Sequence, residues 1–382
     1  MGAMYCSDWF DLDGMSFRKM SVYSSMSWVS SLDMNASTLT VSLFGGPVAV
    51  TNFGQPGQQQ RNKCTITLHT ASGYKIGEIK WSSGPLLYTF WSCTEDLHCV
   101  QADGKVFVYS MKGTAQKDKD FNMGQEAQEM KLVEAEAFES SFGTGLAVLT
   151  TSHRVFVVNN VLDPKLWRTP ELARKAERPS CWTVLAKERV TKVIFVLGAD
   201  IYMMESGKAE EIMPVVGTRV KKYVAVSVSY DRKKLAFLSE NGLIQITAAD
   251  MKHCFCECNS MLHSVPAQFL WCGSEAVAVY DFSENTNSLT IFGLQGGDVS
   301  YAFDETVHLS WEVDGLRVCA RSFHDFLGRV PAAVESRQES YQAYDYLKII
   351  KKQQELEEAV TQCIQAAAHE RLDREVRKAC SR

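Results

Sequence analysis

The sequence has no apolar run of the ~18–20 residues that a membrane-spanning helix needs, and its N-terminus lacks the basic-then-apolar pattern of a secretory signal. Both absences predict a soluble protein that stays inside the cell. Positive charge is not in excess either: 40 Lys and Arg stand against 45 Asp and Glu, a formal net charge of −5. Attraction to phosphate backbones and anionic lipid grows with clustered Lys and Arg, so nucleic acid is excluded as an expected partner. Chemistry-bearing motifs are missing as well. Gly45-Gly46-Pro47 lacks the Gly-Lys-Ser/Thr ending of a phosphate loop, and no G-x-G-x-x-G follows a strand and opens a helix. Neither G-x-S-x-G nor H-E-x-x-H occurs, and the eight histidines are spread along the chain. The expectation is a non-enzymatic protein, with no catalytic, cofactor-binding or metal residue assigned and no cofactor.

What is present describes a chain that folds. Of its 382 residues 46% are hydrophobic and 22% charged, both near the globular average. Twelve cysteines are scattered without an export signal, so they read as reduced thiols acting as small hydrophobes. The nearest approach to a metal cluster is His253, Cys254, Cys256, Cys258 and His263. Cys-x-Cys-x-Cys on a strand places three sulfurs in a row on one face, whereas tetrahedral zinc sites use pairs across a turn. A structural strand is therefore the preferred reading. Without export, Asn35-Ala36-Ser37 reads as a chance glycosylation match. The opening Met1-Gly2-Ala3-Met4 allows a cloning scar and carries no fold signal.

A recurring hairpin is the most informative feature. Leu97–Gln101 and Val106–Tyr109 flank Ala102-Asp103-Gly104-Lys105, where Asp-Gly suits a two-residue turn needing positive φ. Leu146–Leu149 turns at Ser152-His153 into Val155–Val158, and Val193–Leu197 turns at Gly198-Ala199-Asp200 into Ile201–Met204. Further copies run from Leu235–Leu238 to Leu243–Ile246 and from Ala276–Tyr280 to Leu289–Phe292, and a last one turns at Asp314-Gly315. Upstream, 38–50 and 65–81 hold additional strand pairs. The early spacing of roughly 40 to 50 residues is that of propeller blades, and four strands fit each period. About seven blades fit before residue 330. A sandwich would not repeat one strand-pair grammar over so long a chain. The loop 112–120 reads as an insertion between blades, and Trp28, Trp81, Trp91, Trp182, Trp271 and Trp311 read as rings packed between blades.

After Val334 the apolar period becomes helical. Ser336 can cap a first helix with Tyr341, Tyr344, Leu347 and Ile350 along one stripe, and Leu356, Val360, Ile364 and Ala367 mark a second. The expected architecture is an all-β seven-bladed β-propeller over 1–334, followed over 335–382 by the beginning of an α-helical solenoid.

Five segments, spread in order over nearly the whole chain, then become recognisable: 74–91 (YKIGEIKWSSGPLLYTFW), 97–109 (LHCVQADGKVFVY), 179–185 (PSCWTVL), 314–333 (DGLRVCARSFHDFLGRVPAA) and 359–370 (AVTQCIQAAAHE). With them the chain resembles the N-terminal half of the vacuolar protein sorting-associated protein 16 family. That resemblance implies a non-enzymatic scaffold subunit of the HOPS and CORVET membrane-tethering complexes. It would act in vesicle fusion, protein transport to the lysosome or vacuole, and autophagy. It would be cytoplasmic, peripheral on late endosome and lysosome or vacuole membranes through its complex. Its partners would be the other class C subunits, with SNAREs reached indirectly. The family's Sec1/Munc18-type subunit binds the solenoid beyond residue 382, so that contact is expected outside this chain, which is then an N-terminal piece or a natural short form. No site residue carries over. Two other readings compete: a ligand-binding protein or hydrolase using the central channel, and a WD-repeat adaptor, although no blade ends in Trp-Asp.

Overall fold

The computed structural model describes residues 9–53, 64–172, 177–214, 217–260, 262, 265–283 and 286–330. The expected helices from Ser336 onward, and the domain boundary near Pro331, lie outside the described residues.

Strand pairs of β-branched and aromatic residues assemble into seven antiparallel sheets, six of four strands and one of five. These are the blades of a closed propeller. Blade 1 comprises Ser37–Val41, Val48–Asn52, Cys64–His69 and Lys75–Trp81. Blade 2 comprises Leu86–Trp91, Leu97–Gln101, Lys105–Tyr109 and Phe121–Asn122, followed by the short helix α1, Gln125–Met130. Blade 3 has Leu132–Ser140, Gly143–Thr150, Val155–Val158 and Leu166–Arg168, and blade 4 has Cys181–Lys187, Val190–Leu197, Asp200–Glu205 and Lys208–Ile212. Blade 5 has Tyr223–Val228, Lys234–Ser239, Leu243–Ala248 and Cys254–Asn259, and blade 6 has Gln268–Cys272, Ala276–Phe282, Asn287–Gly293 and Asp298–Ala302. In each of these six blades the sheet order follows the sequence, from the innermost strand outward.

Blade 7 is built from both ends of the ring. Val307–Glu312, Gly315–Ala320 and His324–Arg329 supply three strands, Met15–Tyr23 pairs onto His324–Arg329 as the fourth, and Trp9–Leu12 adds a fifth. The sequence reading did not anticipate this closing strand.

Blades pack face to face, so their middle strands are covered on both sides. Leu97–Gln101 is buried at every position, as is Val155–Val158. This explains why these strands read as continuous apolar runs, the pattern of a sheet covered on both faces. The core is accordingly a set of layers between neighbours. Ala147, Leu149 and Val157 of blade 3 meet Trp182, Val193 and Phe195 of blade 4, and each such large side chain contributes roughly 1.5–3 kcal/mol by burial.

The turns differ from expectation in two places. Asp103-Gly104 does not form a two-residue turn: Gly104 N–H donates to Gln101 O (2.9 Å) and only Gly104 takes positive φ, giving a three-residue loop, Ala102 to Gly104. Two-residue turns lie elsewhere, as at Gly198-Ala199 between the paired residues Leu197 and Asp200, and at Asp13-Gly14 between Leu12 and Met15, where both turn residues take positive φ. The loop 112–120 lies within blade 2, between its third and fourth strands, not between blades.

Asp13, at the tip of the N-terminal hairpin, fastens blade 7 to blade 6. Its carboxylate accepts Gln295 N–H (2.7 Å) and Gly297 N–H (3.0 Å). Both Gly293 and Gly297 are needed there, because a Cβ at either would sit 2.0 or 2.6 Å from the Asp13 carboxylate. Asp13→Ala is expected to destabilise the ring by about 1–3 kcal/mol, as charge-assisted bonds to backbone amides are lost. Asp13→Asn should cost less. Urea denaturation of the three proteins checks this; equal midpoints would reject the clasp.

Candidate functional site

A propeller offers two places for function, its central channel and its surface. The channel forms a cavity of about 940 Å³ lined by the innermost strands of blades 1, 2, 3, 6 and 7. Polar side chains project into it; several bond across a blade seam, whereas Glu139 and Thr144 bond each other within blade 3 and Thr51 Oγ1 is buried without a partner among the described residues. Thr40 and Thr89 share a hydroxyl contact of 2.6 Å between blades 1 and 2. The Gln268 side chain both donates to Leu309 O (3.0 Å) and accepts from Leu309 N–H (2.7 Å), tying blade 6 to blade 7. Thr183 Oγ1 of blade 4 donates to Glu136 of blade 3 (2.7 Å).

Three tryptophans repeat one device. Trp91, Trp182 and Trp271 lie on the innermost strands of blades 2, 4 and 6, and each indole N–H donates to the innermost strand of the preceding blade. The acceptors are Thr40 O (2.9 Å), Glu134 Oε2 (2.7 Å) and Ser227 O (3.1 Å). At the seam of blades 7 and 1, Trp28 donates to Ala320 O (3.3 Å) and meets the His69 ring edge-on. Trp81 packs on Phe107 within the layer between blades 1 and 2, and Trp311 lies 5.3 Å from the Tyr230 ring.

Sequence reading missed the charged groups of the inner strands. Burial pushes the Glu136 carboxyl up to about 7, opposed by the bonds it accepts from Thr183 and the Val184 N–H. Burial also raises Glu139, which accepts from Thr144 Oγ1 (2.7 Å). Their signal in the sequence is the alternation Glu134-Ala135-Glu136-Ala137 inside a strand, which marks one polar face. Where the innermost strand of blade 7 ends, Glu312 and Arg317 form a buried ion pair, and Glu312 also accepts the Phe44 N–H (2.8 Å) from blade 1. Several of these inner polar groups thus hold blades together. Among the described residues no group of three His, Cys, Asp or Glu side chains is placed to hold a metal ion.

The cysteine-rich segment is the outermost strand of blade 5, and it departs from the expected row of three sulfurs. Cys256 pairs with Ile246 and Cys254 with Thr247, so Phe255 is an extra, bulged residue. Ile246 and Thr247 face opposite sides of the sheet, so the bulge places Cys254 opposite to Cys256 and Cys258, which pack toward blade 6. His263 lies outside the described residues. Gly45-Gly46-Pro47 forms the first turn of blade 1, and Asn35 accepts a bond from Thr306 Oγ1 (2.9 Å).

A closed seven-bladed ring whose inner polar groups bridge its own blades belongs to the class of β-propeller domains. Solved structures agree at the level of fold. BBS1N, solved in complex with ARL6DN, superposes with a TM-score of 0.54 at 12% identity, covering 82% of this chain and 98% of that one. The Swd1 β-propeller domain of Myceliophteria thermophila gives 0.54 at 12%, over 77% and 97%. Sequence comparison is more specific. The model of the Vps16 N-terminal region matches residues 5–337, and the chain belongs to that family. The Vps16 homolog of Drosophila melanogaster is 28% identical across 97% of this chain and 47% of its own length. Protein VACUOLELESS1 of Arabidopsis thaliana is 26% identical across 95% and 46%. The chain therefore spans about half the length of the curated relatives it matches.

Burial holds His98, His308 and His324 down to about 4. His324 Nδ1 lies 2.8 Å from Ala71 O and His98 Nδ1 3.1 Å from Asp96 O, so each ring donates from Nδ1. A histidine with a depressed folded pKa contributes stability that is present above its unfolded value near 6.5 and lost as pH falls toward 4. Glu136, raised to about 7, and Glu139, also raised by burial, work in the opposite direction, while His69, lowered by burial, works in the same direction as the three rings. Unfolding free energy should therefore fall between pH 7 and pH 5 by on the order of 1–2 kcal/mol for each of the deeply buried His98 and His324, and by less for the half-buried His308. Urea titrations at the two pH values measure it; a flat profile in the wild-type protein would contradict the neutral buried rings.

Proposed function

We propose that this chain is the propeller portion of a non-enzymatic scaffold subunit acting in vacuolar or lysosomal protein sorting, within membrane-tethering complexes of the HOPS and CORVET type. The observation that carries this reading is the family match over residues 5–337, which includes the whole described ring. The relatives named for vacuolar protein sorting align over almost the whole chain, which supports the same role. The inner-strand bonding supports a structural use of the ring, because Thr40, Thr89, Trp91 and Gln268 are committed to neighbouring blades.

In this role the other class C subunits are the partners. The protein is cytoplasmic and reaches late endosome and lysosome or vacuole membranes through its complex. Contact with the Sec1/Munc18-type subunit falls to solenoid beyond residue 382, and SNAREs are engaged indirectly. No helix among the described residues is long and apolar enough to cross a membrane.

The test is affinity purification of the full-length protein that contains this region. Co-purification of the class C subunits at stoichiometric levels is expected, with cargo delivery to the vacuole or lysosome failing when the gene is removed. Absence of those subunits would overturn the assignment.

A further inference from the structure

Each outermost propeller strand presents a row of backbone N–H and C=O groups that another strand can pair with, and natural sheets blunt such edges. Among the described residues, the edges of blades 1, 2, 3 and 5 are each covered, shortened or broken by a visible device. In blade 1 the backbone of Gly77 and Glu78 is covered by the Lys112–Gly113 turn, so close that a Cβ on Gly77 would lie 2.4 Å from Lys112 O. The outermost strands of blades 2 and 3 are two and three residues long, and Gly124 and Glu126, at the start of α1, touch Leu166 and Arg168 of the latter. The edge of blade 5 is broken by the Phe255 bulge, and its Glu257 accepts N–H groups from Gly217 and Thr218 of the loop alongside. Blade 7 ends at Trp9–Leu12, its fifth and outermost strand, which lies beside blade 6 with Phe10 edge-on to Tyr301.

The outermost strand of blade 4 has no such cover among the described residues. Lys208–Ile212 keeps unbroken antiparallel register with Asp200–Glu205 across five residue pairs. Lys208, Ala209, Glu210 and Glu211 are exposed, Ile212 is half-buried, and Met213 just beyond is 81% exposed, the highest value among the described large hydrophobic side chains.

Its charges select the occupant. In an antiparallel pairing of two copies centred on this strand, Glu210 would face Glu210, and like charges directly opposite are destabilising. A second copy of the chain is thereby disfavoured. Glu210 and Glu211 point to opposite faces, and Lys192 and Lys208 serve Glu205 and Glu210. A strand that docks here gains most by presenting two successive basic residues, one to each glutamate, and an apolar residue beside Ile212 and Met213. We propose that Lys208–Ile212 is a docking edge for an extended segment of a partner protein carrying adjacent Lys or Arg residues, which adds a fifth strand to blade 4 by β-augmentation. Backbone pairing supplies the affinity and the two glutamates supply the choice of partner. The inference rests on the edge alone and does not depend on the membrane-tethering role.

The experiment uses the 382-residue chain and two synthetic peptides of alternating Thr and Val, one with a central Lys-Arg pair and one with Glu-Glu in its place. Fluorescence anisotropy reads binding, and hydrogen exchange locates it. The Lys-Arg peptide is expected to bind and to slow exchange at residues 208–212, whereas the Glu-Glu peptide binds at least about tenfold more weakly. In the Glu210→Lys/Glu211→Lys protein, whose changes fall on exposed side chains and leave the fold intact, the preference should reverse. That reversal is a readout that a purely structural role of the strand would not give. Equal binding of both peptides overturns the proposal, as do protection elsewhere on the ring, an unchanged preference in the charge-reversed protein, or no binding at millimolar peptide. Sedimentation showing wild-type dimers that the charge reversal abolishes would identify a second copy as the occupant and would equally reject it.

Discussion

Everything in this ring depends on the pairing of Met15–Tyr23 with His324–Arg329. Phe17 lies opposite Arg329 and Met20 opposite Phe326, so residues about three hundred positions apart share one ladder. Without that strand, blade 7 would end at a three-stranded sheet, and the layer that buries Leu327 would lose Phe17. Loop-closure entropy rises only with the logarithm of loop length, so joining such distant segments costs a few kcal/mol more than a local hairpin. The gain is larger, because closure also seals the layer in which Leu12 and Phe17 join Leu289, Ile291 and Leu316. A single Ser21/Tyr23 irregularity lets the strand follow the twist of the blade and bring Tyr23 against the His324 ring.

Closure also decides how the inner polar groups behave. A propeller has no single core, and each seam must be held separately, mostly by apolar layers. At the narrow inner end, where strands converge and large side chains do not all fit, the seams are held by directed bonds. The indoles of Trp91, Trp182 and Trp271 fill volume and satisfy an acceptor in one group. Glu136 shows the opposing terms within a single residue: burial favours its neutral form, the bonds from Thr183 and Val184 favour its charged form, and burial is the larger.

How much of this was legible in the sequence follows from where each strand sits in its blade. Strands such as Leu146–Leu149 and Val155–Val158 are covered by neighbouring blades on both faces, so burial selected uninterrupted apolar residues and the hairpin was plain. Outermost strands carry little such selection. Lys208–Ile212 is nearly all exposed, and Phe121–Asn122 is two residues long. The closing strand Met15–Tyr23 was illegible for another reason: its partner is at the far end of the chain, and no local turn announces it. The bulge at Phe255 escaped notice because a run of alternating cysteines looks regular until its partner strand is known. The seam-bridging pairs Thr40–Thr89 and Gln268–Leu309 joined residues that nothing in the sequence couples. The family strings supplied what period could not, the family to which the ring belongs.

The ring's entry and exit are fastened together, which has a mechanical consequence. Val330 N–H donates to Ser16 O, and Arg329 N–H donates to Asp314 O, so the backbone leaves the propeller alongside the strand that closes it. A pull on the chain at Val330 is transmitted first to the His324–Arg329 strand, which has paired neighbours on both sides, Gly315–Ala320 and Met15–Tyr23. Removing it along its own axis requires shearing both ladders at once, whereas peeling an edge strand breaks one pair of bonds at a time. The Asp13 clasp keeps the closing hairpin seated on blade 6 while that load is borne. Load applied at Val330 is thereby shared by the pairing that makes the ring continuous.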